Sequence, residues 1–184
     1  MEFYFGFAES EHDLHGILAL QKKNLVTALD NDEILSQGFV TVNHSFDQLQ
    51  ELSKIEKQVV CKVGGRVIGY LLAMTTASKQ QIPALIPMFE MFEHLQLDGK
   101  PLSAYQYVVV GQVCIDKDHR GKGLLSECYS EYKKAFRDRY DFAITEIAAR
   151  NARSLRAHAR VGFQELSRYI ESGKEEWVIV YWKF

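Results

Sequence analysis

The sequence has no run of about eighteen apolar residues, so no helix is expected to cross a bilayer. Its first residues, Met1-Glu2-Phe3-Tyr4-Phe5, lack the basic flank and small-residue cleavage site of a secretory leader, which points to the cytoplasm. Cysteine is scarce: Cys61, Cys114 and Cys128 are odd in number and form no C-x-x-C pair. That argues against a disulfide framework and for reduced, packed thiols. No Cys/His cluster has zinc spacing. His12 and His15 could share a helix face, but no third ligand lies near them in sequence, so no metal is expected. Linkers, repeats and low-complexity tracts are also missing, which leaves residues 1–184 as a single domain.

What is present suits a packed core: 47% of the residues are apolar and 12% are aromatic. A formal net charge of −2 argues against a nucleic-acid partner. The charge is unevenly placed, however. Residues 117–160 hold eleven Lys/Arg and six Asp/Glu, a net of +5, and the remainder holds eleven and eighteen, a net of −7. A compact cationic region in an acidic chain suits a small polyanionic ligand; a solvated helix face accounts for it equally well.

Periodicity supplies the elements. Phe3 to Phe7 reads as a strand. Ser10 and Asp13 open a helix carrying Leu14, Ile17, Leu18 and Leu25. Residues 30–44 read as a loop with an extended piece, Phe39-Val40-Thr41-Val42. Ser45 and Gln48 form a capping-box pattern ahead of Leu49, Leu52 and Ile55. Gln58 to Val63 and Val67 to Thr76 are strands joined at Gly64-Gly65-Arg66, a hairpin signal. Pro83 and Pro87 bracket a break, and Met88, Met91, Phe92 and Leu95 suggest a short apolar helix. Tyr105 to Ile115 is a strand, Gly123 to Arg137 a helix, Phe142 to Ala148 a strand and Asn151 to Val161 a helix ended by Gly162. Phe163 to Ile170 and Trp177 to Phe184 close the chain as paired strands around Ser172-Gly173. The order predicts an α/β (α+β) fold with a mixed sheet and helices on its faces. The last strand is apolar on both faces, which predicts burial on both sides and allows a homodimer interface there.

The stretch that carries chemistry is Val113-Cys114-Ile115-Asp116-Lys117-Asp118-His119-Arg120-Gly121-Lys122-Gly123-Leu124-Leu125: a strand, a short basic turn, then a helix. Gly121 and Gly123 let a ligand approach the backbone closely. The amides at the helix start are unpaired and carry partial positive charge, so a pyrophosphate suits the place, with Arg120 and Lys122 adding charge. Taken alone, the segment also reads as an ordinary strand-to-helix turn. A dinucleotide fingerprint fits less well, because Ser126 replaces its third glycine and the motif follows an antiparallel hairpin.

Arg120, Gly121, Lys122 and Gly123 resemble the first four places of the Q/R-x-x-G-x-G/A pyrophosphate motif of the GNAT superfamily of N-acetyltransferases. Leu125 stands where Gly or Ala is usual. Downstream, Asn151, Ser154, Gly162 and Phe163 match that family's N-x-x-A/S-x-x-L-Y-x-x-x-G-F signature, one helix and one strand further on. The similarity covers most of residues 58–184. It implies a mixed, mostly antiparallel sheet of about seven strands, with helices on both faces and two splayed parallel central strands. It implies acetyl-CoA as cosubstrate. The pantetheine arm would lie along Val113, Cys114 and Ile115, and a backbone N–H near Cys114 would face the thioester carbonyl. The pyrophosphate would rest on Arg120, Gly121, Lys122, Gly123, Leu124 and Leu125. Asn151 and Ser154 would reach the cofactor, and Arg153, Arg156 and Arg160 would offer charge to its phosphates, with at least one of them left in solvent.

The chemistry so implied is direct attack of an amine acceptor on acetyl-CoA. His158 occupies the place where many relatives carry an acidic tyrosine. As imidazolium it could protonate the leaving thiolate; neutral, it could hydrogen-bond the sulfur, relay a proton or only pack on the cofactor. Glu146 is the first candidate for the base, with Gln112 and Tyr107 as water-orienting residues. Cys114 is an alternative nucleophile, and a packed thiol is the competing reading. The acceptor site is expected from residues 30–44 and 77–104, with Met88, Phe89, Met91 and Phe92 as an apolar wall and Glu90 and Glu93 drawing an ammonium. Two other functions stay open at this point: a CoA-binding regulatory module without turnover, and a dinucleotide-binding oxidoreductase.

Overall fold

The computed structural model describes residues 2–171, 173 and 175–184. Its main sheet has seven strands: β1 Tyr4–Phe7, β2 Val59–Val63, β3 Arg66–Met74, β4 Tyr107–Ile115, β5 Phe142–Ala148, β6 Gln164–Ile170 and β7 Glu176–Lys183. They lie in the order β1-β2-β3-β4-β5-β7-β6. Every neighbouring pair is antiparallel except β4 and β5, which are parallel. The hairpin between β2 and β3 turns on Gly64 and Gly65, both at positive φ (54° and 79°), as their pairing in sequence leads one to expect.

Helices cover both faces. On one side lie α1 (Glu11–Asn24), α3 (Phe46–Ile55) and α4 (Ile86–Glu93). Leu14, Ile17, Leu49, Leu52, Phe89 and Phe92 pack there on Tyr70, Leu72, Val109, Ile144 and Ile179. On the other side α5 (Leu124–Phe136) brings Cys128, Tyr129, Tyr132 and Phe136 against Leu71, Ala73, Val108, Val110, Val178 and Val180. Helix α6 (Ala152–Val161) adds Leu155 and Val161 to that layer. The caps read from sequence are in place: Ser10 accepts from the Asp13 amide, and Ser45 and Gln48 make both bonds of the capping box. No described helix is long and apolar enough to cross a membrane.

One expectation changes and two features gain detail. Residues 30–44 are not all loop: α2 spans Asn31–Gln37, with Asp30 accepting from the Glu33 amide at 2.8 Å. None of its residues is buried, so it has no apolar period to reveal it. The two-faced burial expected of β7 is met inside the chain, where the strand lies between β5 and β6 with a core layer on each face. Its Val178 and Val180 enter one core layer and its Ile179 the other, so the pattern needs no partner subunit. Between the helix of Met88 and β4, a two-residue ladder pairs Gln96–Leu97 with Lys100–Pro101. Ser172, half of the expected last turn, lies outside the described residues.

The sheet opens between β4 and β5. Their parallel pairing covers only Tyr107, Val108 and Val109 opposite Phe142, Ala143 and Ile144. The cause lies on the far edge of β4. Leu72 pairs with Gln112 while Ala73 pairs with Val110, so Gly111 is an extra residue that bends the strand. A Cβ at Gly111 would stand 2.4 Å from Met74 Sδ, so a side chain there would have to displace the Met74 thioether. Where the strands part, the Thr145 hydroxyl donates to the Val110 carbonyl at 2.7 Å and occupies that acceptor.

Candidate functional site

The turn after β4 is built by its own side chains. Asp116 Oδ1 accepts from the Asp118 amide at 3.0 Å and lies 3.2 Å from His119 Nδ1, which fixes the short 3₁₀ turn Lys117–His119. Gly121 and Gly123 follow, both at φ 78°, and a Cβ built on either would meet nothing within 4 Å. No side chain caps α5 at Gly123, and among the described residues no acceptor takes up the amides of 121–125. Bare amides at a helix N-terminus, beside glycines that open the backbone, form a cradle for a diphosphate.

That cradle floors a cavity of about 480 Å³. Val113, Cys114 and Ile115 line it from β4, Gly121, Gly123, Leu124 and Leu125 from the turn, and Asn151, Ser154 and His158 from α6 and its cap. The structure therefore brings most of the sequence-derived cofactor residues together. Lys122 is not among the lining residues; its Nζ donates to the Asp118 carbonyl at 3.1 Å on the surface. Arg120 lines the cavity but is already engaged. Its guanidinium donates to the carbonyls of Ile115 and Gln37, each at 2.8 Å, and to Asn24 Oδ1 at 2.7 Å. Its role is to brace the cradle against the ends of α1 and α2. Cationic charge comes instead from α6, where Arg153, Arg156 and Arg160 line the cavity. Burial lowers the Arg153 pKa, and repulsion from Arg120, Arg156 and Arg160 adds to it, as expected for a positive cluster with no acidic partner among the described residues.

Asn151 acts as a tether. Its Oδ1 accepts from the Ser154 amide at 3.2 Å and its Nδ2 donates to the Phe39 carbonyl at 3.0 Å. This holds the Phe39–Val42 segment against both parts of the site.

His158 is buried. Its Nδ1 lies 2.9 Å from the Ser154 carbonyl, which can only accept, so Nδ1 carries the proton. Nε2 then accepts from the Tyr129 hydroxyl at 2.7 Å. Burial brings the imidazole pKa down to about 4. Of the readings left open by the sequence, the geometry and the low pKa favour, near neutral pH, a neutral ring with both nitrogens occupied. Burial pushes the Cys114 thiol up to about 12, so the packed-thiol reading holds and the nucleophile reading falls.

A second cavity of about 220 Å³ opens on the other side of the splay and shares Phe39, Val40, Val113, Asn151, Ser154 and His158 with the first. Val42, Leu85, Pro87 and Met88 give it an apolar wall. Of the wall expected from sequence only Met88 is there; Phe89 and Phe92 are core residues, and Glu93 pairs with Lys79 at 3.0 Å. Gln112 reaches the cavity with its amide oxygen doubly engaged and one of its two Nε2 hydrogens committed. Its Oε1 accepts from Gln21 and Tyr70 at 2.8 and 2.6 Å, and its Nε2 donates to the Val42 carbonyl at 2.8 Å. Tyr107 stacks on Phe142 and does not line the cavity.

Glu146 does face this cavity. Burial, with Glu171 adding to it, pushes its carboxyl up to about 7, although the Tyr169 hydroxyl donates to Oε2 at 2.6 Å. Such a group exchanges a proton readily near neutrality. Glu171 and Trp177, which no sequence pattern marked, complete the wall, with Trp177 Nε1 donating to Glu171 Oε2 at 3.1 Å. Glu171 comes from the β6–β7 connection and Trp177 from the start of β7, and only the sheet order carries them to the splay.

Residues 28–163 match the model of a family described as the acetyltransferase (GNAT) family. No curated protein matches the sequence. Solved structures resemble the whole chain at low identity. A subunit of the NatC complex bound to Gag peptide and CoA is 12% identical with a TM-score of 0.68, covering 100% of this chain and 99% of that one. The ribosomal-protein-S18-alanine N-acetyltransferase from Escherichia coli is 12% identical with a TM-score of 0.64, covering 99% and 94%. A protein from Salmonella typhimurium solved with its cofactor acetyl-CoA is 17% identical with a TM-score of 0.61, covering 98% and 93%.

Proposed function

The chain belongs to the GNAT family of acetyltransferases, and on that premise we propose that it moves the acetyl group of acetyl-CoA to a primary amine by direct attack. The observation that carries this reading is the meeting of two cavities at the splay, one floored by free amides and one holding Glu146. The residues fit a CoA thioester. The cradle at Gly121 to Leu125 suits its diphosphate, and Arg156 and Arg160 suit further phosphate. The β4 edge beyond Val109, released from β5, suits an extended arm that hydrogen-bonds as an added strand would.

Glu146 takes a proton from the acceptor's ammonium and so frees the attacking lone pair. The nitrogen bonds to the acetyl carbonyl carbon as that carbon's bond to sulfur breaks. Of the two protons the nitrogen gives up, one goes to Glu146 and the other ends on the CoA thiol, whose pKa of about 8.5 makes it a fair leaving group. Ser154 lines both cavities, with its Oγ 3.3 Å from His158 Nδ1. Its hydroxyl can pass that second proton to sulfur, and His158 positions it. Cys114 takes no part.

Two measurements test the proposal. CoA and acetyl-CoA are expected to raise the melting temperature, and thiol release from acetyl-CoA is expected to depend on an added amine. Stabilisation by CoA with no amine-dependent release would identify a binding module without turnover.

A further inference from the structure

The acceptor cavity contains two carboxylates, Glu146 and Glu171, and among the described residues no lysine or arginine lines it. Arg150, stacked 4.4 Å from the Phe39 ring of the cavity wall, is paired with Glu175 at 2.8 Å. The two acids are held differently. Glu146 stands on β5, at the mouth of the splay, with Tyr169 on Oε2. Glu171 stands on the β6–β7 connection, with the Trp177 indole on Oε2. In each carboxylate the other oxygen has no hydrogen-bond partner among the described residues.

Only one of these acids can accept the proton of the reacting nitrogen, and on doing so it stops being a counter-ion. An acceptor with a single positive charge would leave the other carboxylate, part-buried in a small cavity, without a counter-ion, which is unfavourable. A second cationic group on the acceptor removes that cost. Resting on the acetyl-transfer reading above, we propose that Glu171 selects acceptors that carry a second positive charge. The substrate is then a compact aliphatic diamine, with its reacting nitrogen at Glu146 and its other ammonium at Glu171. Size and surface agree. The volume of about 220 Å³ falls below the roughly 300–1,000 Å³ of drug-sized sites, and Val42, Leu85 and Met88 in its lining offer apolar surface to methylenes.

The test compares the linear diamines from diaminopropane to diaminohexane with monoamines of the same length. Thiol release from acetyl-CoA is followed for wild type, Glu171→Gln and Glu171→Asp. At the best chain length, kcat/KM is expected to favour the diamine by about tenfold or more, mostly through KM, as a charge-assisted contact would give. Glu171→Gln is expected to bring that ratio towards one by raising KM for the diamine, and Glu171→Asp to restore part of it. CoA-induced stabilisation of all three proteins serves as the folding control. Equal use of monoamines and diamines, or a preference as strong in Glu171→Gln as in wild type, would overturn the inference and leave the transferase standing. No thiol release with any amine would remove both.

Discussion

Glu146, the proposed base, shows how a side chain poised for proton transfer can cost the fold. Its carboxyl is pushed up to about 7 from an ordinary value near 4.5. In that pH window the folded chain holds a proton that the unfolded chain has lost. Stability therefore falls as pH rises from about 4.5 to 7, and the penalty is complete above 7. Glu146→Gln keeps an acceptor for the Tyr169 hydroxyl and removes the charge. At pH 8 it is expected to raise unfolding stability by about 2 kcal/mol in urea titrations. The same variant is expected to lose at least about a hundredfold in kcat, as removal of a general base does. In the wild type kcat/KM should rise with pH along a limb centred near 7, and the variant should lack that limb. A variant with unchanged stability and rate would show that Glu146 faces water.

At the scale of elements, the proposed hold on the cofactor rests on the strand–turn–helix of β4 and α5. Gly123→Ala places a side chain at φ 78°, which costs about 1–2 kcal/mol, and sets a methyl where the diphosphate must approach. CoA-dependent stabilisation, read as a shift in melting temperature, is expected to vanish while the cofactor-free protein melts only a few degrees lower. This unit was legible in sequence because its cause is local: two glycines and a helix start within a few residues. The Ser45–Gln48 box and the Gly64-Gly65 hairpin were legible for the same reason. Helix α2 was not, because a helix with no buried face has no period. The Gly111 bulge depends on the pairing of β4 with β3, and the Asn151–Phe39 bond spans 112 positions. Neither could be read along the chain. Glu146 was found from its place on β5, but its partners Tyr169, Glu171 and Trp177 arrive through the strand order.

For the molecule as a whole, acid sensitivity follows from two buried imidazoles. Burial brings both His44 and His158 down to about 4 from 6.5. Their stabilising effect is whole above pH 6.5 and is lost as the pH falls towards 4. Glu146 works in the opposite sense over nearly the same range, so two histidines outweigh one glutamate. A net loss on the order of 3 kcal/mol is expected between pH 7 and 4, measured as a falling urea midpoint. The double variant His44→Gln, His158→Gln should reverse that slope, because the opposing contribution of Glu146 is then left alone.

Arg120 also links regions that are distant in sequence. One guanidinium joins the end of β4 to Asn24 and to Gln37, and the strip that begins two residues after Gln37 walls the acceptor cavity. It works as a tie-rod: tension at the diphosphate end reaches the far wall without passing through the sheet. Loading CoA should therefore slow deuterium uptake in the 24–42 stretch as well as in the glycine turn, and Arg120→Lys should uncouple the two.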